Sequence, residues 1–195
     1  MSRLRIVGLS NHPLGPISLT VGSGECVCIS GPSGTGKTLL LRAIADLDPH
    51  EGEIFLGNTQ CTSVDGPQWR RRVGLLLAES EWWQERVGDH FSNAADGLVE
   101  QLGFDRRILD RKVMRLSTGE RQRLALLRLL SRSPQALLLD EPTASLDAKN
   151  VRRAERLIAT YRQEHKAPVL WVSHDPRQIK RVGDRHLRLQ DGRLK

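Results

Sequence analysis

The spacing of apolar and polar positions changes several times along the chain, and each change predicts an element. Ile17, Leu19 and Val21 alternate with Ser18 and Thr20, the period of a half-buried strand, and residues 3–9 read as a strand as well. After a turn at Gly22-Ser23-Gly24-Glu25, the run Cys26-Val27-Cys28-Ile29-Ser30 is continuously apolar, the mark of a strand buried on both faces. A glycine-rich loop follows. Residues 38–45 then read as a helix, 53–58 as a strand with its turn, and 73–77 as a second buried strand. Residues 85–115 look helical and polar, interrupted by Gly88, Gly97 and Gly103. Residues 124–130 continue a helix that stops at Ser133-Pro134, and 136–139 form the most apolar strand of the chain. Helical spacing returns over 150–164, with Ala154, Leu157, Ile158 and Tyr161 on the inner face. Residues 169–172 read as a strand, and 185–189 with the Asp191-Gly192 turn close the chain as a hairpin. Strands alternating with helices predict an α/β fold with a mainly parallel sheet, into which the 85–115 stretch is set as a lobe.

Composition narrows the class. The chain has 195 residues, 38% hydrophobic and 27% charged, which suits a globular protein of one domain or one domain with a small lobe. No apolar run reaches the roughly 18 residues of a membrane span. The start, Met1-Ser2-Arg3-Leu4-Arg5-Ile6, lacks the apolar stretch of a secretory signal. Of three cysteines, Cys26 and Cys28 stand two apart and so share a sheet face; a reduced core pair is expected there, not a metal site. The expectation is a cytoplasmic protein. The net charge of +7 is uneven: the first third of the chain is slightly acidic and the rest carries the excess of Lys and Arg. Nucleic acid, anionic headgroups and an acidic partner all remain open as partners for a basic surface, beside plainly solvated arginines.

Two motifs carry chemistry. Gly31-Pro32-Ser33-Gly34-Thr35-Gly36-Lys37-Thr38 matches the phosphate-loop pattern G-x-x-x-x-G-K-[ST], with a buried strand entering and a helix leaving. In such a loop successive N–H groups point inward at phosphate, and the helix N-terminus adds a partial positive charge. The expectation is a nucleotide site in which Lys37 reaches the β- and γ-phosphates and the Thr38 hydroxyl holds Mg²⁺. Residues 136–139 lead directly into Asp140 and Glu141. Carboxylates at the C-terminal edge of a buried strand fall beside the phosphate loop, so Asp140 is expected to bind Mg²⁺ and Glu141 to act as general base.

Leu116-Ser117-Thr118-Gly119-Glu120-Arg121-Gln122-Arg123 then resembles the LSGGQ signature of the ATP-binding-cassette (ABC) ATPases, with Thr and Glu at its third and fifth positions. Ser145-Leu146-Asp147 resembles that family's D-loop, and Val172-Ser173-His174-Asp175 its switch-histidine segment. Asp46-Leu47-Asp48-Pro49 to Gly52-Glu53-Ile54 resembles the stretch joining its first helix to the antiparallel strands. These motifs stand in register over nearly the whole chain. The resemblance implies a P-loop NTPase with a mainly parallel central sheet, an N-terminal antiparallel β region and a short helical lobe over roughly residues 80–133, inserted in a single domain spanning 1–195. It implies a small single-cassette nucleotide-binding subunit of a transporter: an ATPase using ATP and Mg²⁺, cytoplasmic and peripheral on the inner face of the membrane through a separate integral membrane permease. It further implies a head-to-tail homodimer in which ATP on one subunit's Lys37 loop is closed over by Ser117 and Gly119 of the other, with Asp147 also among the nucleotide-binding residues. His174 then bonds the γ-phosphate and holds Glu141 and the attacking water. Nucleic acid is disfavoured as a partner.

The chain departs from the family pattern in places. Ala78 falls where the family carries a glutamine that touches Mg²⁺; Glu79 beside it is the candidate substitute, as a carboxylate is a good Mg²⁺ ligand. Residues 9–17 hold no aromatic to stack on adenine, and His12 is the one ring there. Trp82 and Trp83 stand where the family docks a helix of its membrane partner; one of them exposed and both packed inside are the two alternatives. Competing functions are a non-transport ABC ATPase acting on nucleic acid or a soluble complex, and a hydrolysis-poor ATP-driven clamp. A single cassette without sustained heptads argues against the former.

Overall fold

The structure, a computed structural model, describes residues 3–91 and 98–195. In chain order its elements are β1 (Leu4–Asn11), β2 (Leu14–Val21), β3 (Cys26–Ser30), α1 (Lys37–Ile44), β4 (Glu51–Leu56), β5 (Thr59–Gln60), α2 (Gly66–Arg72) and β6 (Val73–Leu76). They continue with α3 (Leu98–Gln101), α4 (Thr118–Leu130), β7 (Ala136–Asp140), α5 (Ala148–His165), β8 (Val169–Val172), α6 (Pro176–Val182), β9 (Arg185–Gln190) and β10 (Arg193–Leu194). A four-stranded antiparallel sheet has the order β2-β1-β4-β5, and a six-stranded sheet the order β10-β9-β3-β8-β7-β6. Every pairing in the larger sheet is parallel except the closing β9–β10 hairpin. The α/β architecture with a mainly parallel central sheet and an N-terminal antiparallel region is therefore the one the sequence predicts.

The apolar runs of the parallel strands have a direct packing reason. Val27 and Ile29 of β3 face a core shared with Leu40, Leu41 and Ile44 of α1 and with the antiparallel sheet. Cys26 and Cys28 face the opposite core, with Leu124 and Leu127 of α4 and Ile158 of α5. β7 and β8 split in the same way: Leu138 and Leu170 go to the first core, Leu139 and Trp171 to the second. A strand covered on both faces has no position left for a polar side chain. Each such Leu or Val contributes about 1.5–3 kcal/mol by leaving water. Both thiols are free, buried and on one sheet face, as their spacing requires.

The 85–115 stretch corrects the sequence expectation of a polar helix. Its described residues hold only the four-residue α3 and short 3₁₀ segments at Gly88–His90, Arg106–Asp110 and Val113–Arg115. Gly103 takes φ +77°, beyond what a helix can continue through. Asp105 then caps the next segment by accepting from the Arg107 N–H. The Val87 N–H donates to Arg111 O and the Val113 N–H to Glu85 O, lacing the start of the stretch to its end as an antiparallel bridge at Arg86 and Lys112. Gly97, one of the expected interruptions, lies outside the described residues.

Other boundaries move. β2 begins at Leu14 and α4 at Thr118, both earlier than the apolar spacing indicates. Helix α2 went unseen by that spacing, yet it carries the fully buried Trp69, whose Nε1 donates to Ile44 O at 2.9 Å. Its local signals are a cap at Asp65, accepting from Gln68 N–H, and Pro67 in the first turn.

Candidate functional site

Parallel register places the site. Ile29 of β3 and Asp140 of β7 both pair with Val172 of β8, so three strands end level at one sheet edge. The loop 31–36 leaves β3 there, Glu141 follows β7 and His174 follows β8 by two residues. An open α/β sheet binds ligands outside the carboxyl ends of its strands.

The loop's glycines answer two close approaches. A Cβ on Gly31 would lie 2.3 Å from Leu189 O, and one on Gly36 would lie 2.7 Å from the Leu14 side chain. Gly36 also has φ +94° at the N-cap of α1, a helix with no side-chain cap and no acidic residue in its first turn. The N–H groups at this end are thus left facing outward, with the helix's partial positive charge behind them. Pro32, Ser33 and Gly34 are exposed on the loop, and Thr35 Oγ1 donates back to Pro32 O at 2.9 Å.

Lys37 is 7% exposed, and its Nζ donates to Gly31 O and Pro32 O, each at 2.9 Å. Burial pulls its ammonium below the usual lysine range, opposed by the carboxylates of Glu141 and Asp140. Thr38 Oγ1 donates to Asp140 Oδ2 at 2.5 Å. Glu141 sits in the left-handed region at φ +46°, anchored by its N–H on Val172 O. Its Oε1 lies 3.3 Å from His174 Nε2, outside hydrogen-bond alignment, and is buried without a hydrogen-bond partner. Burial pushes this carboxyl above the usual glutamate range, against the pull of His174 and Lys37.

The structure thus brings Lys37, Thr38, Asp140, Glu141 and His174 together. Ser117, Gly119 and Asp147 form a separate group with no hydrogen bond to the loop among the described residues. Ser117 is the exposed N-cap of α4: its Oγ accepts from the Glu120 N–H at 3.2 Å, and the Glu120 carboxylate accepts from the Ser117 N–H at 2.8 Å. Glu120 is ion-paired to Arg111 at 3.0 Å. A Cβ on Gly119 would lie 3.1 Å from Ser145 O, so the start of α4 rests on the segment that leads to Asp147. Asp147 caps α5, accepting from Asn150 N and Nδ2 at 2.9 and 2.7 Å, and these bonds hold its carboxyl below the usual aspartate range.

Glu79 is exposed and lines a groove of about 480 Å³ with Leu75, Trp83 and Arg128. It makes no hydrogen bond or ion pair with Thr38 or Asp140. Ala78 is exposed, as is His12. Of the two adjacent tryptophans, Trp82 packs partly buried on the second core while Trp83 is 61% exposed. Arg128 lies over both rings, 4.4 and 4.7 Å from their centroids, and burial lowers its pKa to about 10.

Sequence reasoning missed a buried network behind His174. Gln178 of α6, 4% exposed, accepts from Ser173 Oγ and donates to Thr143 Oγ1 at 2.8 Å and Glu155 Oε1 at 3.0 Å. Glu155 in turn takes two bonds from Arg181, at 2.7 and 3.2 Å. The polar residues involved lie far apart in sequence, so no local pattern pointed to them. Glu120 did have a signal, the Ser-x-x-Glu capping box.

The ABC transporter family model matches residues 14–144. An Fe(3+) ions import ATP-binding protein of Streptomyces avermitilis is 38% identical over 93% of this chain, which spans only 56% of that relative's length. A phosphate import ATP-binding protein of Aeropyrum pernix is 33% identical over 98% of this chain and 88% of its own. A solved ATP-binding subunit of an ABC transporter superposes with TM-score 0.86 at 21% identity, covering 98% of this chain and 88% of that one. At that identity the likeness establishes the fold.

Proposed function

The chain belongs to the ABC transporter family, and on that premise we propose that it is the ATP-binding and ATP-hydrolysing subunit that energises a membrane transporter. The observation that carries the reading is the convergence of Lys37, Thr38, Asp140, Glu141 and His174 at one sheet edge. The family's relatives named above are import ATP-binding proteins. Among the described residues no helix is long and apolar enough to cross a membrane, so the membrane partner is a separate chain or segment.

ATP is the substrate. Its phosphates take the N–H groups of Ser33, Gly34 and Gly36 and of the uncapped start of α1, and Lys37 Nζ turns from the carbonyls of Gly31 and Pro32 to the β- and γ-phosphates. Thr38 Oγ1 and Asp140 are hard oxygen donors already in contact, which fits Mg²⁺. Mg²⁺ bound there supplies charge neutralisation on the phosphate oxygens. Glu141 Oε1, buried and without a hydrogen-bond partner, is the acceptor for the proton of the attacking water. A carboxyl whose pKa is raised by burial is a stronger base when ionised. His174 steadies that carboxylate and bonds the γ-phosphate.

Two subunits meet head to tail, with Ser117 and Gly119 of each completing the site on the other's loop. Exposure of Ser117 at a helix N-terminus supports this, as does the missing bond between it and its own loop. A membrane partner docks on the groove beside the exposed Trp83, which places the protein on the inner face of the membrane. A second reading, an ATP-driven clamp of slow turnover, is favoured by Ala78, whose methyl offers no metal ligand. Phosphate release with saturating MgATP tests both. Wild type turning over and Glu141→Gln losing about 10²–10⁴-fold while still binding ATP fits the hydrolytic reading. Equal, near-background rates in both proteins fit the clamp.

A further inference from the structure

On the face of the central sheet covered by α5 and α6 lies a cavity of about 490 Å³, bounded by those helices and by Cys26 and Trp171 of the strands beneath. Four arginines line it against one glutamate. The glutamate, Glu155, is already neutralised by its two bonds from Arg181 and its ion pair with Arg152, and it also accepts from Gln178. Arg156 lines the cavity with no hydrogen bond or ion pair among the described residues. Arg162 spends Nη1 on Asp184 at 2.8 Å, but its Nε is buried and unpartnered. Trp171 is 1% exposed, and its Nε1 is likewise buried with no acceptor. An indole N–H and a guanidinium N–H buried without acceptors each weigh against folding. Both nitrogens are closed off behind the cavity wall; what the wall itself presents is the excess of arginine over Glu155.

The rest of the wall is apolar: Ile158, Ala159 and Val182. The volume falls within the roughly 300–1,000 Å³ of small-molecule sites, which pair apolar walls with a few convergent polar groups. We propose that this cavity is a second binding site, taking a small soluble organic anion. Its carboxylate or sulfonate head pairs with the guanidinium groups of Arg156 and Arg162, and its apolar body lies on Ile158, Ala159 and Val182. The cavity does not touch the phosphate loop; it shares Glu155 with the Gln178 network behind His174.

The test is calorimetric titration of the full chain with naphthalene-2-sulfonate, and with inorganic sulfate as the head group alone. Wild type, Arg156→Glu and Ala159→Trp are compared; both positions are exposed on α5, so neither substitution disturbs the core. The expected result is saturable one-to-one binding of naphthalene-2-sulfonate, about tenfold tighter than sulfate and weakened about tenfold in each variant, with ATP affinity unchanged. Absence of saturable binding to wild type, or an affinity unchanged in either variant, overturns the proposal.

Discussion

Thr38 Oγ1 and Asp140 Oδ2 are joined by a 2.5 Å hydrogen bond that ties the start of α1 to the end of β7 across 102 positions of sequence. A hydroxyl donating to a carboxylate is the stronger kind of hydrogen bond, worth about 1.5–3 kcal/mol. The same two oxygens are the proposed Mg²⁺ ligands. Thr38→Val keeps the shape of the side chain and removes the oxygen. It is expected to raise the Mg²⁺ concentration needed for half-maximal turnover by about tenfold or more, and to lower the melting temperature. Turnover against Mg²⁺ concentration, with a thermal melt of each protein, checks both.

Glu141 gives a pH-dependent signature. Burial raises its folded pKa, so the folded state holds a proton that the unfolded state has already lost, and the ionised carboxylate costs stability as pH rises through that pKa. Glu141→Gln removes the buried charge. The variant is expected to melt above wild type at neutral pH, with the gap closing as pH falls toward the usual glutamate range. Wild-type turnover is expected to fall on the acid side at a pH above that range. Melting curves and rates over a pH series check the two signs together.

Ser117 has two separable roles. As N-cap of α4 it is worth about 1 kcal/mol, and aspartate caps as well as serine. Ser117→Ala is expected to lower stability by about that amount. Ser117→Asp keeps an acceptor for the Glu120 N–H but sets a second carboxylate against Glu120, so it is expected to melt somewhat below wild type and to lose turnover far beyond Ser117→Ala, because a carboxylate then meets the γ-phosphate of the facing subunit. If both roles were only capping, the aspartate variant would hydrolyse ATP at the wild-type rate.

Gln178 is expected to position the switch segment. Gln178→Leu leaves Ser173 Oγ, Thr143 Oγ1 and Glu155 short of a partner in a buried setting, at about 1–3 kcal/mol for each group left unsatisfied. For a chain of this size each kcal/mol is about 2–4 °C, so a fall of several degrees in melting temperature is expected. Turnover is expected to fall with ATP affinity retained, since Gln178 does not touch the phosphate loop.

The sequence made the parallel sheet legible because doubly covered strands such as β3 and β7 leave no polar positions. The phosphate loop and the Asp140-Glu141 strand end were legible because their chemistry is local in sequence. Helix α2 was not, since one large side chain, Trp69, anchors it in place of an apolar stripe. The 85–115 stretch misled for a related reason. Its composition is helical and polar, but Gly103, the Asp105 cap and the bridge at Arg86 and Lys112 break it into single turns. The Gln178 network joins α5 and α6 to the loops after β7 and β8, and only tertiary packing brings them together. Ser117, Gly119 and Asp147 were legible as motif residues, while the cap that Asp147 makes on α5 comes from the fold and their role toward a nucleotide depends on a second subunit.

The most direct test of the head-to-tail reading is the mass of Glu141→Gln in solution, by light scattering, with and without ATP. A monomer without ATP and a dimer with it, reverting when Lys37→Ala or Ser117→Asp is added to the same chain, is the expected result. A variant that binds ATP and stays monomeric contradicts a site completed by the facing subunit.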